Sequence, residues 1–275
     1  MNPEVYEPML NAQRSGYGYP GFADCYDLYR PKPPLMLPDL LCQLAQAARP
    51  QLVVDLGSGT GRSTFLWSHR AHQVLGIEPL AAMRQIAEAA NTAPHVHFQG
   101  GVAQQTTLPD GAAEIVTCAQ ALHWMEPEST FAEVARILRS GGVFAAYDYD
   151  RTPSVHWEVE QAFERCMARR QAWWQRAGEQ EARCGSQQWP KDEHLARLQQ
   201  SGHFRYVKEI VLHRSELWSA ERWVGYALSC LPGLAESGLS AAEIGLNELR
   251  DVARRTVGAQ GLAVYFSYHV RVAVK

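Results

Sequence analysis

This 275-residue chain predicts an α/β fold organised around a parallel sheet, and three observations carry the prediction. Between residues 51 and 150, short β-rich apolar runs alternate with amphipathic stretches at helical spacing, the pattern of strands joined by helical crossovers. The first run leads directly into the glycine turn Gly57-Ser58-Gly59-Thr60-Gly61. The last dozen residues alternate with period two, as a strand at the far side of such a sheet does.

Residues 1–33 carry Tyr6, Tyr17 and Tyr19 among glycines and read either as a lid or as a surface arm packing its aromatics on the sheet. Leu37, Leu40, Leu41, Leu44, Ala45 and Ala48 place a helix before the first strand. LVVDLG (52–57) is continuous and β-branched, as a strand covered on both faces should be. VLGIE (74–78), VHFQG (96–100), EIVTCAQ (114–120) and GVFAAYDY (142–149) repeat the type. Phe131, Val134, Ala135 and Leu138 form a helical stripe expected to stop at Arg139 and Gly141. Residues 154–183 read as one long helix, with Val159, Phe163, Cys166, Trp173 and Trp174 drifting along one face, so 151–203 is expected to be a helical insertion or cap. Residues 204–275 then complete the core that 34–150 begins. FRYVKEIVLHR (204–214) is a strand, Ser240 and Glu243 form a capping box, and 263–274 is the last strand.

Composition excludes several functions. With 26 Lys+Arg against 29 Asp+Glu, a net charge of −3 and a pI near 6.4, the chain has no electrostatic footprint for nucleic acid. No run approaches the roughly 20 apolar residues that span a bilayer, and the N-terminus lacks a signal pattern, so the expectation is a cytoplasmic protein with no membrane partner. Cys25, Cys42, Cys118, Cys166, Cys184 and Cys230 form no metal-spaced pair, and His69 and His72 lack acidic or thiol companions; free thiols and no metal are expected.

A strand running into alternate glycines and then a helix lets the backbone approach a ligand closely and offers it the free N–H groups of the helix start. The dinucleotide spacing G-x-G-x-x-G fails here, because the third glycine comes one residue early and Arg62 takes its place. Asp55, two residues before Gly57, would repel a pyrophosphate but welcome a cation such as an ammonium group. Glu78, at the end of the second strand, can accept the hydroxyls of a ribose. Together these imply adenosine joined to an amino acid, and disfavour a nicotinamide oxidoreductase.

VVDLGSGTG, GIEP, LPDGAAEIV and GGVFAAYD resemble the class I S-adenosylmethionine-dependent methyltransferases over about residues 25–150. YDLYRP (26–31), GVAQQTTLPD (101–110) and AQALHW (119–124) are similar to the branch that contains trans-aconitate methyltransferase and the type 11 small-molecule enzymes. The resemblance implies a Rossmann-like sheet of seven strands with the last antiparallel, S-adenosylmethionine as cofactor and S-adenosylhomocysteine as product. It places Asp55, Gly57, Ser58, Gly59 and Gly61 around the methionine part, and Glu78 on the ribose. Pro79, Ala103 and Gln104 would border the adenine, with Gln120, Ala121 and Leu122 under the sulfonium. Tyr26 and Arg30 join the cofactor set, Arg30 pairing with the carboxylate of the cofactor or of the acceptor. Two departures stand out: Gln104 replaces the usual acidic residue, and YRPKPP replaces the family's YRPxYP.

For the acceptor, the segment after the fourth strand points at the reactive methyl, so His123 is the candidate base, or else a shape-determining pocket wall; Trp124 is a pocket wall. Tyr29, Arg169 and Trp173 are further acceptor-side candidates, although the last two, like Arg165 and Arg170, read more readily as core packing or solvated face; residues 225–232 are a candidate substrate-side loop. The activity implied is methyl transfer to an oxygen, carboxylate or hydroxyl, of a small organic molecule, by a monomer or homodimer. Transfer to sulfur or nitrogen, or cofactor binding without turnover, are the alternatives.

Overall fold

The computed structural model describes residues 3–176, 187–234 and 237–275. Seven strands form one sheet: β1 (Leu52–Leu56), β2 (Gln73–Ile77), β3 (Val96–Gln99), β4 (Ala113–Ala119), β5 (Leu138–Tyr149), β6 (Tyr206–Trp218) and β7 (Leu262–Val274). Their order is β3-β2-β1-β4-β5-β7-β6, with β1 to β5 parallel and β7 antiparallel to both of its neighbours. This is the predicted α/β sheet with its antiparallel last strand.

Burial on both faces explains the unbroken apolar runs. Val53 packs with Trp67, Val74 and Ile115 on one side of the sheet, while Val54 and Leu56 pack with Ile77, Val116 and Phe144 on the other. In β7, Val264, Phe266, Tyr268, Val270 and Val272 all face the first of these clusters, as the period-two alternation requires.

The helices are α1 (Pro3–Arg14), α2 (Phe22–Tyr29), α3 (Leu37–Leu44), α4 (Ala81–Ala90), α5 (Pro127–Ile137), α6 (Trp157–Arg176), α7 (His194–Gln200), α8 (Ala220–Ser229) and α9 (Leu246–Val257). Three local expectations need correction. The glycine turn leads into a short 3₁₀ turn, Thr64–Trp67, and not into a regular helix. The α5 helix ends at Ile137, because Leu138 already pairs with Ala113. Gly141, at φ +72°, and Gly142, where a Cβ would come within 2.9 Å of the Arg139 carbonyl oxygen, kink strand β5 instead of capping the helix. The Ser240–Glu243 capping box forms, Ser240 N donating to Glu243 Oε2 at 2.8 Å, but it closes a turn, and Gly245 in the left-handed region starts α9 separately.

The 151–203 stretch divides in two. Val159, Phe163 and Cys166 of α6 bury against Trp223, Tyr226 and Leu249, so this helix packs on α8 and α9. Past the gap in the description, residues 187–193 return along the carboxyl edge of the sheet before α7 packs on β6 and β7. Residues 177–183 of the expected helix, the Tyr6 and Trp174 side chains, and Cys184 lie outside the described residues. Cys25, Cys42, Cys118, Cys166 and Cys230 are free thiols, and no described helix is long and apolar enough to cross a membrane.

Candidate active site

Two clefts lie against the carboxyl ends of the parallel strands. Both are lined by Tyr26, Gly57, Gly59, Ala119 and Gln120, which makes them halves of a single groove. The groove sits between β1 and β4, where the strand order reverses, the position at which open α/β sheets bind ligands. The larger half encloses about 730 Å³ and extends over Glu78, Pro79, Ala103 and Gln104. The smaller half, about 490 Å³, extends over Arg30, Ser58, Thr60 and Tyr149.

The glycine turn forms the floor. Gly57 (φ +64°) and Gly59 (φ +56°) occupy the left-handed region, and a Cβ on Gly57 would stand 2.6 Å from the Ala121 Cβ. The Gly57 and Ser58 amides donate to the Ile77 carbonyl at 2.8 and 3.1 Å, which joins the turn to the end of β2. There Glu78 Oε2 accepts from Gly59 N at 3.0 Å and Oε1 from Leu80 N at 2.9 Å. Burial pushes its carboxyl up to about 7, although both backbone donors pull it down.

At the other end, Arg30 Nη1 donates to the Tyr149 hydroxyl at 2.8 Å and Nη2 to the Ser229 carbonyl at 2.7 Å, while the guanidinium lies 4.8 Å from the Tyr26 ring centroid. Among the described residues no carboxylate pairs with Arg30, and its Nε, Ser58 Oγ and Thr60 Oγ1 are buried without partners. A charge and two hydroxyls left unsatisfied beside a groove are the donor set a ligand carboxylate needs. The residues present therefore fit an amino acid joined to a nucleoside.

The methyltransferase domain family matches residues 54–146, the stretch that holds the groove's floor. An "Uncharacterized methyltransferase" of Mycobacterium tuberculosis is 36% identical over 135 residues, covering 49% of this chain and 53% of that protein. A "Probable S-adenosylmethionine-dependent methyltransferase" of Saccharomyces cerevisiae is 33% identical over 129 residues, covering 45% and 44%. The matches thus span about half the length of these curated relatives. Among solved structures, "a Putative Type II Methyltransferase from Anaeromyxobacter dehalogenans" superposes with a TM-score of 0.64 at 22% identity, covering 90% of this chain and 97% of that one, which shows the shared fold. Residues 54–146 thus match a methyltransferase domain, within a sheet whose fold solved methyltransferases share.

The groove brings together Tyr26, Arg30, Gly57, Ser58, Gly59, Glu78, Pro79, Ala103, Gln104, Gln120, Ala121 and Trp124 of the residues expected from sequence. It leaves others outside. Asp55 lies below the floor, fully buried, with Oδ2 accepting from Thr64 Oγ1 at 2.7 Å and Oδ1 from Thr117 Oγ1 at 2.7 Å and Ser63 Oγ at 3.3 Å. Burial lifts its pKa to about 6, with the three hydroxyls lowering it in part. Both oxygens thus tie the turn to the 3₁₀ turn and to β4, and Asp55 lines neither half of the groove. Gly61 faces Phe65 and Phe98, and Leu122 is buried in the core beneath the loop. Tyr29 packs on α8, where a Cβ on Gly225 would come within 2.2 Å of its ring, so both Tyr29 and the 225–232 segment begin as helix contacts. Arg169 Nη1 pairs with Glu248 Oε2 at 2.8 Å on the α6–α9 contact, and the half-buried Trp173 on the same helix lines neither half of the groove.

His123 lines neither half of the groove. Its Nδ1 stands 4.0 Å from Asp148 Oδ1, and burial, reinforced by Lys191 against the opposing pull of Asp148, drives its pKa down to about 3. An imidazole so disposed is a poor proton acceptor at neutral pH.

Several groove residues escaped the sequence reading. Pro8, Ala12 and Ser15 from the N-terminal segment border the larger half beside Tyr17, which the sequence had singled out; Met83 and Val102 line its apolar wall; Tyr147, Tyr149 and Tyr268 line the smaller half. Arg62 donates to the Arg30 carbonyl at 2.6 Å and to the Asp27 carbonyl, and so clamps the end of α2, with its Tyr26 and Arg30, onto the glycine turn. The alternation of Tyr147 and Tyr149 along β5 was a visible signal that both reach toward a strand end on one face.

Proposed function

We propose that this protein transfers a methyl group from S-adenosylmethionine to an oxygen of a small organic molecule, and that the oxygen belongs to a carboxylate. The observation that carries the reading is the single groove at the β1/β4 switch point, with the Glu78 carboxylate at one end and, at the other, the buried Arg30 guanidinium with no carboxylate partner among the described residues.

In this reading Glu78 accepts the ribose hydroxyls and the Gln104 amide oxygen accepts from the adenine amino group. Met83, Ile77 and Val102 pack around the base, and Arg30, Ser58 and Thr60 hold the amino-acid carboxylate. Gln120 and Ala121 lie beneath the sulfur, with Trp124 as the acceptor-side wall. The cofactor, when bound, supplies a methyl group on a good leaving group, so the residues need chiefly to exclude water and hold donor and acceptor in line at about 3 Å.

Among the described residues, Tyr26, Tyr149 and His123 are poorly suited to take a proton from a neutral acceptor. Burial raises the Tyr26 hydroxyl to about 12 and Tyr149 higher still, and lowers His123 to about 3. A carboxylate arrives ionised and needs no base, whereas an alcohol does. That asymmetry favours the carboxylate over the hydroxyl.

Calorimetric titration with S-adenosylhomocysteine, with NADH in parallel, tests the cofactor; transfer of tritiated methyl to panels of carboxylates, phenols, thiols and amines tests the acceptor. Binding of S-adenosylhomocysteine at about micromolar Kd, lost in Arg30→Ala, is expected, with label appearing on carboxylates as base-labile esters. Binding of NADH in its place, or of neither, would overturn the reading.

A further inference from the structure

Gln120 stands where the two halves of the groove meet, and its backbone is at φ +53°, a region that costs a non-glycine residue about 1 kcal/mol or more. Two contacts hold it there. Its amide N–H donates to the Tyr147 carbonyl at 2.8 Å, and its side-chain Oε1 accepts from Lys191 Nζ at 2.8 Å. An ammonium has donors only, so this contact fixes which end of the Gln120 amide is oxygen. Nε2 is then the other end, and it is buried without a partner among the described residues.

Lys191 is itself held. Its Nζ lies 2.9 Å from Asp148 Oδ1, and the buried Asp148 accepts from Arg271 Nη1 at 2.8 Å through its other oxygen. The segment that carries Lys191 is tied to the loop after β4 and to the roof: Trp189 N donates to the His123 carbonyl at 2.9 Å, and Asn11 of α1 bonds the Trp124 and Gln187 carbonyls at 2.7 and 3.0 Å. The same segment thus touches the groove's floor, its acceptor wall and its lid.

We propose that Lys191 is a positioning residue for methyl transfer: by engaging the Gln120 carbonyl it turns the Gln120 amide donor toward the groove, where Nε2–H holds an oxygen of an anionic acceptor. The inference rests on the reading of the groove as a methyltransferase site. A fixed donor backed by an ammonium selects an acceptor with lone pairs and negative charge, and disfavours an amine acceptor in its protonated form. It also bears on the donor, because a positive charge and an N–H beside the sulfur oppose the sulfonium of the substrate cofactor but not the neutral sulfur of the product.

That difference gives a test independent of any acceptor. Affinities for S-adenosylmethionine and S-adenosylhomocysteine are measured calorimetrically for wild type, Lys191→Met and Lys191→Arg. The Gln120 side-chain amide resonances, assigned by their loss in Gln120→Ala, are followed in labelled protein. Lys191→Met should favour S-adenosylmethionine over S-adenosylhomocysteine by about fivefold relative to wild type, and shift or broaden the Gln120 resonances. Lys191→Arg should restore both. Parallel weakening of the two nucleosides, or an unmoved Gln120 resonance in Lys191→Met, would make Lys191 a structural tie and overturn the inference alone. If wild type binds neither nucleoside, the reading of the groove falls and takes this inference with it.

Discussion

At the β1–β2 end of the groove the polar groups come from one short stretch of chain, Gly57 to Glu78, and the carboxylates there, Asp55 and Glu78, are buried against hydroxyls and backbone amides. At the β4–β5 end they are assembled from remote places: Arg30, Gln120, Asp148, Lys191 and Arg271, with Asp148 bracketed by two cations. Burial raises both acids at the first end to about 6 and about 7. Asp148, which burial alone would also raise, is instead held below the usual carboxylate range by Lys191, His123 and Arg271. The first end is thus a local device tuned to accept hydroxyls, and the second a tertiary device that fixes charge in place.

The largest effect should come from breaking the local device. Gly57→Ala forces a side chain into the left-handed region and against Ala121 and Met125 at 2.6 and 3.0 Å. We expect loss of about 2–4 kcal/mol of stability and at least a 100-fold loss of S-adenosylhomocysteine affinity. Gly202→Ala is the control, since its φ is +72° but nothing lies within 4 Å of the new Cβ; it should cost about 1 kcal/mol and leave binding intact. Equal effects from the two variants in calorimetry would mean that the turn's conformation, and not its fit to Ala121, is what matters.

The two ends should also respond oppositely to pH. Glu78 has its folded pKa raised from 4.5 to about 7, so the folded state holds a proton that the unfolded chain has released. Its contribution favours the fold most below pH 4.5 and declines, by on the order of 3 kcal/mol, as pH rises toward 7. A ribose needs the ionised form, so affinity for S-adenosylhomocysteine should rise about tenfold between pH 6 and 8. Glu78→Gln should flatten that profile at a lower affinity. Near Asp148, burial lowers His194 from 6.5 to about 4, with both ring nitrogens unpartnered among the described residues. Here the unfolded chain takes up the proton first, so stability present above pH 6.5 is lost as pH falls toward 4. His194→Leu should recover about 2 kcal/mol of it, seen as an acid-unfolding midpoint moved to lower pH in circular dichroism. A midpoint that stays put would place the acid sensitivity in the Asp148 ion pairs.

The same contrast explains what could be read from the chain. Parallel strands buried on both faces write themselves as continuous apolar runs, and the period-two alternation of β7 marks a strand closing the sheet, whose antiparallel direction was implied only by the resemblance to class I methyltransferases. The glycine turn and Glu78 were legible for a similar reason: their geometry is set by residues next to them. Asp55 was legible as part of the motif, but its partners Thr64 and Thr117 were not, so its buried anchoring role was read as ligand contact. His123 was legible as a candidate base, but the burial and the Lys191 charge that lower its pKa were not, because Lys191 is 68 residues away and carries no motif. Long-range ion pairs have no periodicity, and a lysine in a polar stretch looks like solvated surface until the chain brings it to Gln120.

Arginine makes the smallest and sharpest version of this comparison. Arg30 was a candidate for binding a carboxylate through the YDLYRP resemblance, and Arg169 a weaker candidate for the acceptor side on a helix that also reads as core packing or solvated face. Arg30 is enclosed by Tyr26, Tyr149 and Tyr226 with no acid beside it, whereas Arg169 is 44% exposed and spends its charge on Glu248. An exposed pair of that kind is worth about 0–1 kcal/mol, because water solvates each partner nearly as well once separated. Arg169→Ala should therefore change thermal stability by less than about 1 kcal/mol and leave both nucleoside affinity and methyl transfer as in wild type. A change in acceptor KM without a change in nucleoside affinity would return α6 to the acceptor pocket.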